Sequence, residues 1–265
     1  MYPILFHIGN FPIYNYGIIM ALAFVIAFGW VFYRAKKLGE NIDDYYNVCL
    51  IALVGGIVGS RLMYVIVTWE EFVGSPWRIL NLRTGGLVWY GGVILASLLI
   101  LIYTKRKRLR FFHVADVMSA PMALGLGIGR LGCLMSGCCY GKPSDLPWAM
   151  MYPESPYIPS EIAGKRVHPS AIYEMIAAFA IAVMLVYLER HKKRDGQIFW
   201  SFFLLYGLAR FILEFWRGDA VRGFIIPDVM SVSQGISVLT VIIAAIMLLR
   251  RPKHIEPVKR SRDFR

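Results

Sequence analysis

The sequence GLGIGRLGCLMSGCCYG, residues 125–141, places an arginine inside a stretch that is otherwise apolar enough to span a membrane. A guanidinium group keeps its charge in a protein, so Arg130 at this depth must face a polar cavity or an anionic partner. Two other apolar stretches share this anomaly, with Arg61 in IVGSRLMYVIV and Arg210 in LLYGLARFILEF. Three such arginines predict a phosphate-binding site, and the abundant phosphate of a membrane is the phospholipid head group.

The composition of the whole chain is typical of a membrane protein. Of its 265 residues, 57% are hydrophobic, which exceeds the share usual in soluble domains. Seven apolar stretches are long enough to cross about 30 Å of hydrocarbon: residues 16–33, 46–68, 87–103, 114–136, 171–188, 198–215 and 229–249. We therefore predict an all-α integral membrane protein with seven transmembrane helices. The first stretch lacks the features of a signal peptide, so we expect it to be retained.

The charge distribution predicts the orientation of the chain. The net charge is +12, and most of the 29 basic residues follow the first, third, fifth and seventh stretches. By the positive-inside rule, the N-terminus lies outside and the C-terminus in the cytoplasm. Basic loops at a membrane surface attract anionic lipids, so this charge does not indicate nucleic-acid binding. We predict one transmembrane domain over residues 1–251 and a disordered, basic cytoplasmic tail over residues 252–265.

Two further polar patterns lie within apolar stretches. Glu174 falls about two turns into the fifth stretch and requires a partner, either an arginine from another stretch or the wall of a wet cavity. In the sixth stretch, Tyr206, Arg210, Glu214 and Arg217 are spaced to share one helical face. This face is either an internal ladder of ion pairs or part of a functional site. The depth of Arg210 favours the functional site.

The four cysteines give a weaker signal. Cys49 lies in an apolar stretch and is expected to fill the core, whereas Cys133, Cys138 and Cys139 lie at or near the outer end of the fourth stretch. No histidine has a suitable ligand spacing to these three, so we predict no metal and no cofactor. A disulfide from Cys133 to either Cys138 or Cys139 is feasible, while a bond between the adjacent pair would be strained.

Five short motifs, in order along nearly the whole chain, resemble those of the prolipoprotein diacylglyceryl transferase family. They are Tyr16-Gly17, GSRLMY (residues 59–64), GRLG (residues 129–132, with Gly141 as the end of that signature), HPSAIYE (residues 168–174) and YGLARFILE (residues 206–214). The resemblance implies seven transmembrane helices with a site that opens toward the outer face of the bacterial cytoplasmic membrane. It also implies transfer of a diacylglyceryl group from phosphatidylglycerol to the lipobox cysteine thiol of a preprolipoprotein, with glycerol phosphate leaving.

The resemblance also assigns site residues. Arg130 and Arg210 match the arginines that the family needs, and a guanidinium fork suits a departing phosphate. We predict Arg130, Arg210 and Tyr90 as catalytic residues. The predicted substrate-binding residues are Tyr16, Arg61, Cys133, Cys138, His168, Glu174, Tyr206 and Glu214. The predicted partners are phosphatidylglycerol, membrane lipids and the signal peptide of a preprolipoprotein, which we expect to dock on the long loop over residues 137–167.

The chain departs from the family pattern at four positions. Tyr90 stands where the family usually has a histidine, and Cys133, Ser136 and Cys138 stand where its signature commonly has two asparagines and a glutamate. A tyrosine is a poor base unless nearby arginines lower its pKa, although it can position phosphate, share a proton through water or simply anchor the helix at the interface. A related enzyme with another donor or acceptor, a thiol relay through Cys133 or Cys138, and a non-catalytic lipid-binding or transport protein are the alternatives.

Overall fold

The computed structural model describes residues 4–9, 11–81, 85–154, 158, 160–218, 224–226 and 230–250, so the predicted tail over residues 252–265 lies outside the described residues. Seven α-helices occupy most of this part of the chain: α1 (Asn15–Leu38), α2 (Ile42–Val67), α3 (Trp89–Arg106), α4 (Phe111–Ser136), α5 (Ser170–Glu189), α6 (Gln197–Leu213) and α7 (Val232–Leu249). Short 3₁₀ helices occupy Trp69–Glu71, Pro76–Leu80 and Glu214–Trp216. Each predicted stretch coincides with one helix, which confirms the all-α class.

Six of these helices are long and apolar enough to cross a membrane. The remaining helix, α3, has 18 residues but includes Lys105 and Arg106 in its last turn. The structure therefore confirms a chain with six candidate spans. Membrane crossing by α3 and the orientation of the termini stay predictions.

Local sequence signals explain where several helices begin and end. Asn41 caps α2 by accepting a hydrogen bond from the Asp43 amide at 3.0 Å. Ser231 and Gln234 form a capping box at the start of α7. Helix α4 ends at Gly137, whose φ of 70° is left-handed and turns the chain back toward the last helical turn. This reversal of the chain brings Cys138 and Cys139 close to Cys133.

Helix packing divides the helices into the pair α2 and α3 and a larger group formed by α1, α4, α5, α6 and α7. Helix α4 packs against α1, α5 and α6, and α7 packs on α6. Helices α2 and α3 touch through glycines, because a Cβ on Gly59 would lie 2.4 Å from the Gly91 carbonyl oxygen and one on Gly91 would lie 2.3 Å from that of Gly59. Neither position has room for a side chain, as in the small-residue contacts of membrane helices.

Three two-stranded antiparallel sheets lie among the connecting segments. Strand β1 (Ile4–Ile8) pairs with β2 (Phe11–Tyr14), β3 (Met150–Met151) with β4 (Arg166–Val167), and β5 (Phe224–Ile226) with β6 (Met230–Ser231). The described part of the long loop after α4 also has its own apolar cluster, formed by Tyr140, Tyr152, Ile158, Ile162 and Val167. This loop is therefore a folded unit on the end of the helix group.

Charged side chains join helices at one end of this group. Asp116 near the start of α4 accepts hydrogen bonds from the Gly196 and Phe199 amides at 2.7 and 2.8 Å, which caps the start of α6. Lys192 lies 3.0 Å from the same carboxylate. The basic connecting segments lie at this end of the helices, near Asp116. A second set of ionic groups from α4, α5 and α6 lies at the opposite end.

Candidate functional site

Glu174 is the centre of this second set of ionic groups. It lies in the second turn of α5 and is 7% exposed. The Arg130 Nε from α4 lies 2.7 Å from its Oε2, and the Arg210 Nη1 from α6 donates to its Oε1 at 2.7 Å. Arg217, just beyond α6, also donates to Oε1. Glu174 therefore contacts three arginines, the type of partner expected for it.

Glu214 extends the same network. Its Oε2 lies 3.0 Å from the Arg210 Nη2, and its Oε1 accepts a hydrogen bond from the Ser231 hydroxyl at 2.9 Å. The Arg210 Nε donates to the Ser233 hydroxyl at 3.0 Å. An ion-pair ladder within one helix, the less favoured alternative, does not describe this arrangement. Arg130 links α4 to Glu174, and Ser233 links α7 to Arg210, so the network joins α4, α5, α6 and α7.

Among the residues that the structure describes, three guanidinium groups and two carboxylates meet at a mostly buried position. Arginines at such a position in a chain with membrane-type helices commonly mark a ligand site. A guanidinium fork suits a phosphate oxygen pair, so the arrangement is suited to an anionic ligand of this kind.

A narrow cleft between α4, α5 and α6 lies beside the network, with a cavity volume of about 10 Å³. Its polar lining consists of Arg130, Glu174, Tyr206 and Arg210. Its apolar lining consists of Leu126, Ala177, Ala178, Ile181, Ala209 and Leu213. Tyr206 is held by stacking on Phe202, with ring centroids 5.6 Å apart. A polar head between two arginines and an apolar wall below it match the two parts of a phospholipid.

Three cysteines lie next to Arg130. Cys133 is in the last turn of α4, and the left-handed Gly137 and Cys139, with φ of 70° and 58°, return the chain so that the Sγ atoms of Cys133, Cys138 and Cys139 lie within 4.8 Å of one another. All four cysteines of the chain are free thiols. The Arg130 Nη1 lies 4.0 Å from the Cys133 Sγ and 3.8 Å from the Cys139 Sγ.

The two thiols that follow α4, those of Cys138 and Cys139, have pKa values shifted in opposite directions. Hydrogen bonds with the Cys133 and Cys138 thiols, assisted by the charges of Arg217 and Arg130, lower the pKa of Cys139 below its ordinary value. Hydrogen bonding to Cys133 and Cys139, together with burial, raises the pKa of Cys138. Of these two thiols, Cys139 is therefore the one that more readily forms a thiolate.

Tyr16 and His168 lie near this region but contact different groups. Tyr16, in the first turn of α1, packs on α4, because a Cβ on Gly132 would lie 3.1 Å from its ring. The His168 Nδ1 lies 3.3 Å from the Tyr173 hydroxyl, which accepts a hydrogen bond from the Trp148 indole at 2.8 Å. The described contacts of His168 thus lead to an aromatic group at the loop after α4 and not to the arginines.

Arg61 does not join the network. It is 6% exposed, and its guanidinium donates five hydrogen bonds of 2.6–3.1 Å to backbone carbonyls, those of Arg78, Ile79, Asn81, Gly85 and Gly86. These carbonyls occupy all of its donor directions, so the expected contact with substrate phosphate does not fit this placement. Its position instead indicates that it organises the segment between α2 and α3.

Tyr90 also lies apart from the arginines. It is in the first turn of α3, is 45% exposed and packs edge-on against Trp89, with ring centroids 5.5 Å apart. Among the described residues, no contact joins it to Arg130 or Arg210. The structure therefore brings together Arg130, Arg210, Glu174, Tyr206, Glu214 and the cysteines, but not Tyr90, Arg61 or His168.

Three residues of the network were not among the predicted site residues. Arg217 was considered only as a member of a ladder, although its seven-residue spacing from Arg210 placed it on the same face. Ser231 and Ser233 precede or begin α7, and a serine at a helix start is usually interpreted only as a cap. No sequence signal linked these serines to Glu214 and Arg210.

The sequence model of the family described as "Prolipoprotein diacylglyceryl transferase" matches residues 3–250 of the chain. A protein from Clostridium tetani (strain Massachusetts / E88) named phosphatidylglycerol–prolipoprotein diacylglyceryl transferase is 37% identical over 243 residues, which cover 92% of this chain and 95% of that protein. A protein of the same name from Clostridium botulinum (strain Langeland) is 33% identical, covering 92% and 94%. One from Clostridioides difficile (strain 630) is 34% identical over 206 residues, covering 78% and 79%.

Proposed function

The chain belongs to the prolipoprotein diacylglyceryl transferase family, and we propose that it transfers the diacylglyceryl group of phosphatidylglycerol to a prolipoprotein during lipoprotein maturation. The acceptor is the lipobox cysteine thiol of the signal peptide, and the products are a thioether and glycerol phosphate. One observation supports this function above the others: Arg130 and Arg210 lie together at the polar end of a cleft whose remaining lining is mostly apolar.

In this proposal, Arg130 and Arg210 bind the phosphate of the donor. The acceptor sulfur attacks the glycerol carbon, the new C–S bond forms, and the C–O bond to phosphate breaks with its electron pair on the phosphate oxygen. The guanidinium groups stabilise that developing charge, and Glu174 and Glu214 hold them in place. The acceptor thiol must lose its proton for this step.

The remaining predicted residues have roles around this centre. We infer that Tyr206 closes the head of the cleft, that Tyr16 packs beside the thiols, and that the aromatic group of His168 contacts the acceptor. Tyr90 keeps its proposed role of positioning phosphate or sharing a proton through water. That role requires substrate to lie between Tyr90 and the arginines, because Tyr90 is exposed at the start of α3.

We further propose that residues 1–251 form one domain in which all seven helices cross the bacterial cytoplasmic membrane, with the N-terminus outside and the arginine network toward the outer face. The basic residues near Asp116, at the far end of α4, α5 and α6, support this orientation. The folded loop after α4 lies at the same end as the network, which supports its role in receiving the signal peptide.

A thiol relay is the second candidate mechanism, since Cys139 lies 3.8 Å from the Arg130 guanidinium. In such a relay the enzyme thiolate would attack the glycerol carbon first and form a thioether on the protein. The acceptor thiol would then have to displace a thiolate from that carbon. The intermediate would be as stable as the product, so covalent catalysis gains nothing here, and direct attack by the acceptor is favoured.

Transfer by the purified protein from phosphatidylglycerol to a synthetic lipobox peptide, detected by mass, tests the proposal. We expect a thioether product from the native protein and none from Arg130→Ala or Arg210→Ala, each of which should remain folded by size-exclusion chromatography. Arg34→Ala is the matched control, because Arg34 is a buried arginine paired with Glu189 at the other end of the helices. Turnover retained in either site variant would contradict the assignment of the arginines.

A further inference from the structure

The three cysteines beside Arg130 have the geometry of a metal-ligand set. In a zinc site with Zn–S bonds of about 2.3 Å, neighbouring sulfurs are about 4 Å apart. The Sγ atoms of Cys133, Cys138 and Cys139 all lie within 4.8 Å of one another. Closing the set around an ion would therefore move each sulfur inward by about 0.5 Å. The sequence predicts no metal because no histidine lies at ligand spacing to these cysteines, but a ligand set made of thiols alone needs no histidine.

The backbone holds this set in place. The Cys138 amide donates to the Cys133 carbonyl at 3.2 Å, which fixes the turn, and the left-handed Cys139 places its side chain back toward α4. The Ser170 hydroxyl at the start of α5 donates to the Cys139 carbonyl at 2.6 Å. Supporting contacts of this kind orient metal ligands. Cys138 is exposed, which gives an ion a path into the site.

We propose that Cys133, Cys138 and Cys139 bind a thiophilic divalent cation of the Zn²⁺ type, and that the acceptor thiol of the proposed reaction is its fourth ligand. Three protein ligands leave the fourth position of a tetrahedral ion open for substrate, which is the arrangement of catalytic zinc sites. A thiol that coordinates such an ion is deprotonated outright. The ion would thus supply the proton removal for which the chain lacks the family's usual histidine.

The position of the site beside Arg130 fits this role, which rests on the proposed transferase function. Two of the sulfurs lie 3.8 and 4.0 Å from the Arg130 guanidinium, so an acceptor bound to the ion would lie next to the donor phosphate. In the step, the acceptor proton goes to water, the sulfur forms its bond to the glycerol carbon, and glycerol phosphate leaves with the electron pair. The ion remains divalent, and no oxidant or reductant is needed.

One divalent cation with three thiolates carries one negative charge, and the Arg130 guanidinium lies beside two of the sulfurs. The binding of the acceptor thiolate adds a second negative charge, which makes its sulfur a nucleophile. A soft thiolate set selects zinc-type ions over hard cations such as Mg²⁺.

Metal titration of the purified full chain tests the site without reference to activity. Under a non-thiol reductant, we expect one Cd²⁺ per chain with cadmium–thiolate charge-transfer absorption, displaced by Zn²⁺ and unaffected by Mg²⁺. Cys133→Ser, Cys138→Ser and Cys139→Ser should each weaken binding by about tenfold or more. Cys49→Ala, a cysteine buried in α2, is the matched control and should bind as the native chain does. Binding that survives the serine substitutions would overturn the site.

The role in transfer is tested separately. Chain freed of metal by a chelator, with its metal content measured, should lose at least tenfold in kcat, and Zn²⁺ should restore it. Cys139→Ser should need a higher Zn²⁺ concentration for half-maximal rate than Cys49→Ala. Full activity of the metal-free chain would refute the catalytic role. Absence of transfer at every Zn²⁺ concentration, with Cd²⁺ still bound, would instead refute the proposed function and leave the metal site established.

Discussion

Replacing Glu174 with glutamine tests whether the arginine network depends on its central carboxylate. The change keeps the shape of the side chain and removes its charge, so three guanidinium groups would lose the carboxylate that they share. Loss of one partner from a buried ion pair costs about 3–5 kcal/mol, because it leaves an uncompensated charge. For a chain of this size, we expect the melting temperature to fall by roughly 10 °C.

Thermal unfolding of the purified protein in detergent, together with transfer assayed below the melting temperature, measures both consequences. We expect transfer to fall by about 100-fold or more, because Arg130 and Arg210 lose the group that fixes their positions. Glu189→Gln is the matched control. Glu189 pairs with Arg34 at the other end of the helices and its side chain is 30% exposed, so we expect a smaller loss of stability and unchanged transfer.

A second substitution makes the test specific to charge. Arg217→Gln in the Glu174→Gln background removes one positive charge and so restores the original net charge of the network. We therefore expect the double variant to be less destabilised than the sum of the two single variants, which is the sign of direct coupling. A melting temperature of Glu174→Gln within about 2 °C of native, or additive single effects, would refute the reasoning.

Three further changes test other parts of the molecule. Arg61→Lys keeps the charge but not the five hydrogen bonds, so we expect the free energy of unfolding to fall by about 3 kcal/mol in thermal or denaturant unfolding. Tyr90→Phe should lower kcat/KM about tenfold if its hydroxyl bonds the donor phosphate, and a change within twofold would leave Tyr90 as an interfacial anchor. The pKa of Asp195 lies below its ordinary value of 3.8. Burial raises this pKa, but it is lowered by more through a hydrogen bond from Lys192 and the charges of Lys192, His113 and Arg110. Asp195 therefore stabilises the fold above that pH, and the stability difference between native and Asp195→Asn should disappear as pH falls below it.

The helices and the network were largely predictable because each depends on a local pattern. Apolar stretches set the helices, and an isolated charge such as Glu174 or Arg130 in an apolar stretch needs a partner wherever the fold provides one. For Glu174 the sequence leaves two possibilities, an arginine from another stretch or the wall of a wet cavity, and the structure shows arginines. The additional partner Arg217 lies beyond α6, where an arginine is unremarkable in sequence.

Arg61 and the cysteines were harder to interpret, since their roles depend on backbone geometry. Nothing in the sequence shows that five carbonyls of the segment after α2 turn toward Arg61. The grouping of Cys133 with Cys138 and Cys139 depends on left-handed residues after α4, one of which is a cysteine and not a glycine. Residue types alone do not specify such a turn.

The glycine contact between α2 and α3 has a consequence for how the protein enters a membrane. Helix α3 ends in two basic residues and partitions into lipid less readily than its neighbours, whereas α2 is strongly apolar. Because Gly59 and Gly91 bring the two backbones together, the hairpin of α2 and α3 buries part of α3 against protein. If α3 crosses the membrane as we propose, α2 and α3 would enter it together as a hairpin, and we expect a bulky residue at either glycine to lower the amount of inserted protein.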